Sequence, residues 1–211
     1  VSNGRVIGCN FYLPQTSIIL PDGGYNLSTA NIGLKVIKVN QAVCGNSSER
    51  YTSSTASAVK TFQRTHGLGV TGIVDITTWK AMGYSEYDWY NLGTYRTPIK
   101  VFNGATREYR INAMLQTAAE YASAGTKYKV GCSGTPGTYV DYSGLIYQCL
   151  YAAGINPASN IVDHALAIYE YTSANLAADN RLGIEVASYD LQPGDLVFYA
   201  KNGKSSVCHI A

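Results

Sequence analysis

Charge is scarce in this chain: Asp, Glu, Lys and Arg together make up 14% of its 211 residues. The 16 basic and 14 acidic side chains nearly cancel, leaving a net charge of +2. No block of like sign stands out, and a nucleic-acid partner needs a concentrated basic face, so none is expected. No apolar run approaches the roughly 20 residues that cross a bilayer, so no membrane span is expected either. A charged and then apolar leader is also missing from the start, as in a mature form, a trimmed form or a cytosolic protein. Five cysteines (Cys9, Cys44, Cys132, Cys149, Cys208) contain no CxxC pair and no histidine at a zinc-like spacing. We therefore expect no metal and no other cofactor. An odd number of thiols leaves at least one free; Cys9 and Cys44 could bridge, or all could be isolated buried thiols.

What is present is an ordinary globular composition, 46% hydrophobic, long enough for one large domain or two small ones. Tyrosine is the outlier, with 18 residues against four Phe and two Trp. A phenol offers a flat apolar face with a polar tip, which suits sugar and peptide surfaces as well as half-buried strand positions.

Along the chain, residues 1–33 carry short strand-like runs and the turn signal Pro21-Asp-Gly-Gly24, and are assigned to the edge of a first domain. From 34 to 84 the pattern is helical. Val36, Val39 and Val43 share one face, Ser53-Ser54-Thr55 supply N-cap candidates, and Val59, Phe62 and Gln63 share the next helical face. Gly67 closes that helix, and Thr77 to Met82 form a last short one with Trp79 inward. Residues 85–106, rich in Tyr, Trp, Gly and Pro, read as a linker packed between domains. Beyond Arg107, Ile111, Leu115, Ala118 and Ala122 mark an amphipathic helix. Further helices are expected over Ser143 to Ala153 and over 163–178. Pro193-Gly194 reads as a type II turn, with strands at Leu196 to Tyr199 and Val207 to Ile210.

Ala58-Val59-Lys60-Thr61-Phe62-Gln63, Gly67-Leu68, Gly72-Ile73-Val74 and Thr78-Trp79 resemble the signature of a small three-helix peptidoglycan-binding domain. The departures are Thr71 where Asp is usual, Asp75 where Gly is usual, and Asn40 for a glutamine of the first helix. Later come Gly125-Thr-Lys-Tyr128-Lys-Val-Gly131, Asp141-Tyr142-Ser143-Gly144-Leu145, Gln192-Pro193-Gly194-Asp195-Leu196-Val197-Phe198 and His209-Ile210-Ala211. In this order they resemble the NlpC-type peptidases, papain-like cysteine enzymes that cut peptide stems of bacterial peptidoglycan. The resemblance implies an α+β fold: a three-helix domain at 34–84, then a papain-like domain at 107–211 with helices on an antiparallel sheet. It also implies a secreted or cell-wall location and peptidoglycan as partner.

Carried over residue by residue, the resemblance puts Tyr142 in the nucleophile's place and makes His209 the base. Tyr128, Asp141, Ser143, Cys132 and His164 then border the substrate cleft. Cysteine at a helix start is activated by the helix dipole and an imidazolium. A phenol titrates near pH 10, against about 8.5 for a thiol, and its oxygen lies further from the backbone. Tyr142 is thus expected to disable cleavage. Cys132 is the one conceivable substitute, Cys149 being a core residue and Cys208 facing away from His209. The family's third polar residue comes from a strand beyond the position of Ala211, so truncation is expected as well. A non-catalytic structural or adaptor protein with a degenerate cleft is the alternative.

Overall fold

The computed structural model describes residues 4–9, 24–156, 172–178, 183–200 and 207–211. Strand β1 (Gly4–Cys9) opens the chain. Helix α1 (Leu34–Cys44) then starts after Gly33 and ends at Gly45, whose φ of 66° makes a left-handed stop. Val36 and Val39 of α1 are fully buried, as their spacing predicts.

Helix α2 (Ser53–Thr65) is capped one residue before the expected candidates Ser53-Ser54-Thr55. Thr52 is the N-cap: its Oγ1 accepts from Thr55 N at 3.3 Å, while Thr52 N donates to Thr55 Oγ1 at 3.2 Å. A threonine thus fills the returning role that Glu or Gln usually takes in a capping box. Helix α3 (Ile76–Ala81) is capped by Asp75, whose Oδ1 accepts from Thr78 N at 2.7 Å. Trp79 is fully buried at the centre of this half, against Val36, Val59 and Val74. Residues 24–33 join the same core through Leu27, which exchanges both backbone hydrogen bonds with Val74 at 2.9 Å.

The stretch expected to be linker begins with another helix, α4 (Glu86–Asn91). Ser85 caps it, and Trp89 is buried 5.7 Å from the Trp79 ring. The first hydrophobic unit therefore reaches at least Leu92, because the aromatics past 84 are core and not connection.

The second half begins with α5 (Arg107–Ser123). Its buried stripe runs Ile111, Met114, Thr117 and Tyr121, and Leu115 is 58% exposed, against the expected face. Fully buried Thr117 keeps its hydroxyl satisfied by donating to Ala113 O at 2.8 Å, which let a polar residue displace an apolar one from the stripe. A parallel pair, β2 (Lys127–Tyr128) and β3 (Tyr139–Val140), then leads into α6 (Tyr142–Ala152). Of the helix expected over 163–178, α7 (Ser173–Ala178) is present, and 163–171 lie outside the described residues. Strands β4 (Gly183–Val186), β5 (Leu196–Ala200) and β6 (Val207–Ile210) follow.

These strands form an antiparallel sheet in the order β4-β1-β5-β6. Its neighbours include α6 and α7, and the core beneath holds Met114, Leu150, Leu196, Phe198 and Ile210. The position of β1 corrects the expectation for the N-terminal segment. Val6 pairs with both Val186 and Val197, so residues 4–9 are an interior strand of this second sheet. Pairing across some 180 residues leaves no local trace in sequence, which is why periodicity could not find it.

The halves and the connection between them are tied together by polar contacts and close packing. Gln148 of α6, fully buried, accepts from Thr97 N at 2.8 Å and Thr97 Oγ1 at 2.9 Å, and donates to Tyr95 O at 3.0 Å. Lys129 donates to Ser47 O at 2.9 Å. Gly131, at φ 73°, lies against the Ile32 side chain with no room for a Cβ. Across the described residues, mixed helix and sheet make this an α+β fold.

Candidate functional site

The site builds from the start of α6. Asp141 is its N-cap: Oδ1 accepts from Gly144 N at 2.7 Å and from Ser143 Oγ at 3.1 Å. Its other oxygen accepts from Gly131 N at 2.8 Å, and its backbone N donates to Cys132 O at 2.8 Å. One carboxylate thereby clamps the helix start to the 129–133 loop. Gly144 is required here because a Cβ would meet the Cys132 carbonyl. Ser143 is 4% exposed and donates its hydroxyl to Asp141, so both side chains are engaged at the helix start.

Tyr142, the first residue of α6, is 41% exposed. Strand β6 delivers His209 to it: the ring centroids are 4.0 Å apart with planes at 89°, an edge-to-face contact. Tyr128 of β2 packs on the other side, 4.7 Å from Tyr142, and Tyr199 of β5 lies 5.4 Å from His209, its direct cross-strand partner. Two residues 67 positions apart in sequence, together with two further tyrosines, thus make one aromatic cluster. Tyr199 is the member that sequence reasoning missed; its alternation with buried Phe198 carried the signal.

The chemistry available is limited by what faces what. His209 Nδ1 is shielded from solvent and has no hydrogen-bond partner among the described residues. Tyr142 presents a ring to it, and proton transfer to a base needs a hydrogen-bonded donor. Burial, and next the Tyr142 phenol, push the Tyr128 hydroxyl up to about 12, so it stays protonated at neutral pH.

Cys132 is 1% exposed with its sulfur 3.8 Å from Val130 O, so it is packed inside the loop and is not on the cleft wall where it was expected. Cys149 is 3% exposed, and burial pushes it up to about 12. Cys208 is exposed on β6, adjacent in sequence to His209. Cys44 is free, so the bridge considered between Cys9 and Cys44 is not formed. His164 lies outside the described residues. Among the described residues no group of His, Cys, Asp and Glu gathers as a metal site would, and no helix is long and apolar enough to cross a membrane.

In the helical half the signature residues are structural. Gln63, 1% exposed, accepts from Thr71 N at 3.0 Å and Gly72 N at 2.9 Å and donates to Ile73 O at 2.8 Å. It holds the loop before α3. Thr71, in the place of the usual Asp, makes the same kind of turn contact by accepting from Ile73 N at 3.1 Å. Asn40 bonds Ser48 O and Arg50 O and accepts from Thr55 Oγ1. The departures from the signature therefore leave the fold intact. Loop residues Val70 and Ile73 stay exposed.

Residues 38–82 match the family model described as "Putative peptidoglycan binding domain". No curated protein and no solved structure matches the chain. The match lies on α1 to α3 and the loops between them, and it supports association with the cell wall through that part of the molecule.

Proposed function

We propose that the protein reads bacterial peptidoglycan outside the cytoplasm through its helical half, and that residues 107–211 carry an NlpC-type, papain-like cleft closed to catalysis. The wall-binding part rests on the family match at 38–82. The second part rests on a single contact, the Tyr142 ring against His209 at 4.0 Å. A peptidase of this type needs a thiolate at the helix start with the imidazole beside it. Here the residue at the helix start and the imidazole are neighbours, and a phenol ring fills the gap between them.

In this reading Asp141 and Ser143 support the helix start and Tyr128 walls the cleft. The experiment is incubation of the purified protein with sacculi, with sedimentation and chromatography of the supernatant. Sedimentation with the wall and no release of muropeptides is the expected result. Release of muropeptides at enzyme-like rates would sink the closed-cleft reading, and failure to sediment would favour the adaptor alternative.

A further inference from the structure

We infer that a second ligand site lies between the two halves, a cavity of about 360 Å³ that takes a small polar molecule bearing one carboxylate. The cavity is walled by Tyr87 and Asn91 of α4, Tyr95 and Arg96 of the connection, and Thr135 and Thr138 of the loop before β3. Its size falls in the range of small-molecule pockets, which favour domain junctions. It is separate in sequence from the Tyr142–His209 cluster and shares none of its residues.

Arg96 sets the ligand's charge. Among the described residues it is the only ionisable cation lining the cavity, and no Asp or Glu lines it. Its guanidinium lies 4.6 Å over the Tyr151 ring, with Nη1 donating to Tyr95 O at 3.3 Å. Nε and Nη2 are shielded from solvent with no acceptor among the described residues. A guanidinium has five N–H donors in a planar fork that fits a carboxylate, and buried donors left without a partner are costly. Nε and Nη2 do not face the open cavity while the guanidinium rests on Tyr151, so binding the acid requires this half-buried side chain to turn off that ring toward it. The hydroxyls and amide around it suit the neutral polar remainder of the ligand, and the tyrosines suit its apolar face.

The position is held rigidly. Gln148 anchors the chain on both sides of Arg96, at Tyr95 O and Thr97 N, and Leu34 at the start of α1 packs by Gly134. A wall fragment supplies such a carboxylate from two sources, the lactyl group of a muramic acid stripped of its peptide stem or the free end of a stem. Choosing these probes rests on the peptidoglycan reading; the acid-binding cavity does not.

The test is calorimetric titration of the full chain with two probe pairs that differ only in charge or its carrier: N-acetylmuramic acid against N-acetylglucosamine, and N-acetyl-D-alanyl-D-alanine against its C-terminal amide. Preference for the acid by about tenfold or more in either pair is expected, and the pair that shows it names the source. Arg96→Gln should abolish that preference. Thr135→Trp, an exposed position on the rim, should block the cavity without disturbing the core. Equal affinity for acid and neutral partner in both pairs, or an acid preference that survives both substitutions, overturns the proposal. Sedimentation with sacculi is scored separately in the same samples: its loss in the parent chain counts against the wall-reading function, while acid discrimination alone decides the cavity.

Discussion

Gln63→Leu should cripple the helical half, and the size of the effect can be worked from its contacts. The side chain is 1% exposed and makes its strongest hydrogen bonds to the backbone of 71–73. Leucine fills similar volume but leaves the Gly72 N–H without a partner, while Thr71 N keeps only Gly69 O at 3.0 Å and Ile73 O keeps only the Thr71 hydroxyl at 3.3 Å. Gly72 is buried, so its N–H has no water to turn to, whereas exposed Thr71 and Ile73 recover part of theirs. One full unsatisfied group plus two partial ones gives about 2–4 kcal/mol. A second cost follows: the loop positions Asp75 to cap α3, so Trp79 burial loosens with it. Urea unfolding followed by Trp fluorescence measures the shift, because Trp79 and Trp89 both report this half. The control is Gln41→Leu, an exposed residue bonded only to Ser47 Oγ, expected to change stability by less than about 0.5 kcal/mol. If Gln63→Leu unfolds within about 1 kcal/mol of the parent, the loop is held by something other than this glutamine, and the reasoning fails.

Three further outcomes follow from the same geometry. Tyr142→Cys places a thiol at the start of α6 beside His209; alkylation by iodoacetamide should then run faster than at buried Cys149, and slow when His209→Ala is added. An unchanged rate in the double variant would show that the imidazole does not face that position. Gly131→Ala combines a φ of 73° with a Cβ forced into Ile32, so the interface between the halves should weaken by about 1–3 kcal/mol in thermal unfolding. Stability should also fall in alkali. The folded Cys149 thiol is held near 12 by burial, above its ordinary value near 9, so the folded state keeps a proton that the unfolded state loses. Its contribution is complete below about pH 9 and is lost as pH rises toward 12; Cys149→Ala should flatten that slope in urea titrations, and an unaltered slope would assign it elsewhere.

The sequence made the helical half legible because its structure is local: valines at helical spacing, a threonine-rich helix start and a glycine stop each announce themselves within a few residues. Gly154 after α6 and Gly194 in the turn before β5 were readable for the same reason, since both take positive φ where only glycine is comfortable. α4 was hidden by its composition. Glu86-Tyr-Asp-Trp-Tyr-Asn91 has no apolar repeat, and it is fixed by a single buried tryptophan and a serine cap. β1 was hidden by distance. The Tyr142–His209 pair was reachable only through motif order, since nothing in the residues between them says that a strand end meets a helix start. The cavity around Arg96 left no motif at all, because its walls come from three separate stretches of chain.

The central claim is that this protein holds peptidoglycan and leaves it uncut. Its most direct test is a single incubation with purified sacculi, in which pelleted protein and soluble muropeptides are measured together. The account predicts that the parent chain pellets with the wall, that Gln63→Leu no longer does, and that the supernatant contains no released fragments in either case. A parent chain that stays in solution, or a supernatant that fills with muropeptides, would contradict it.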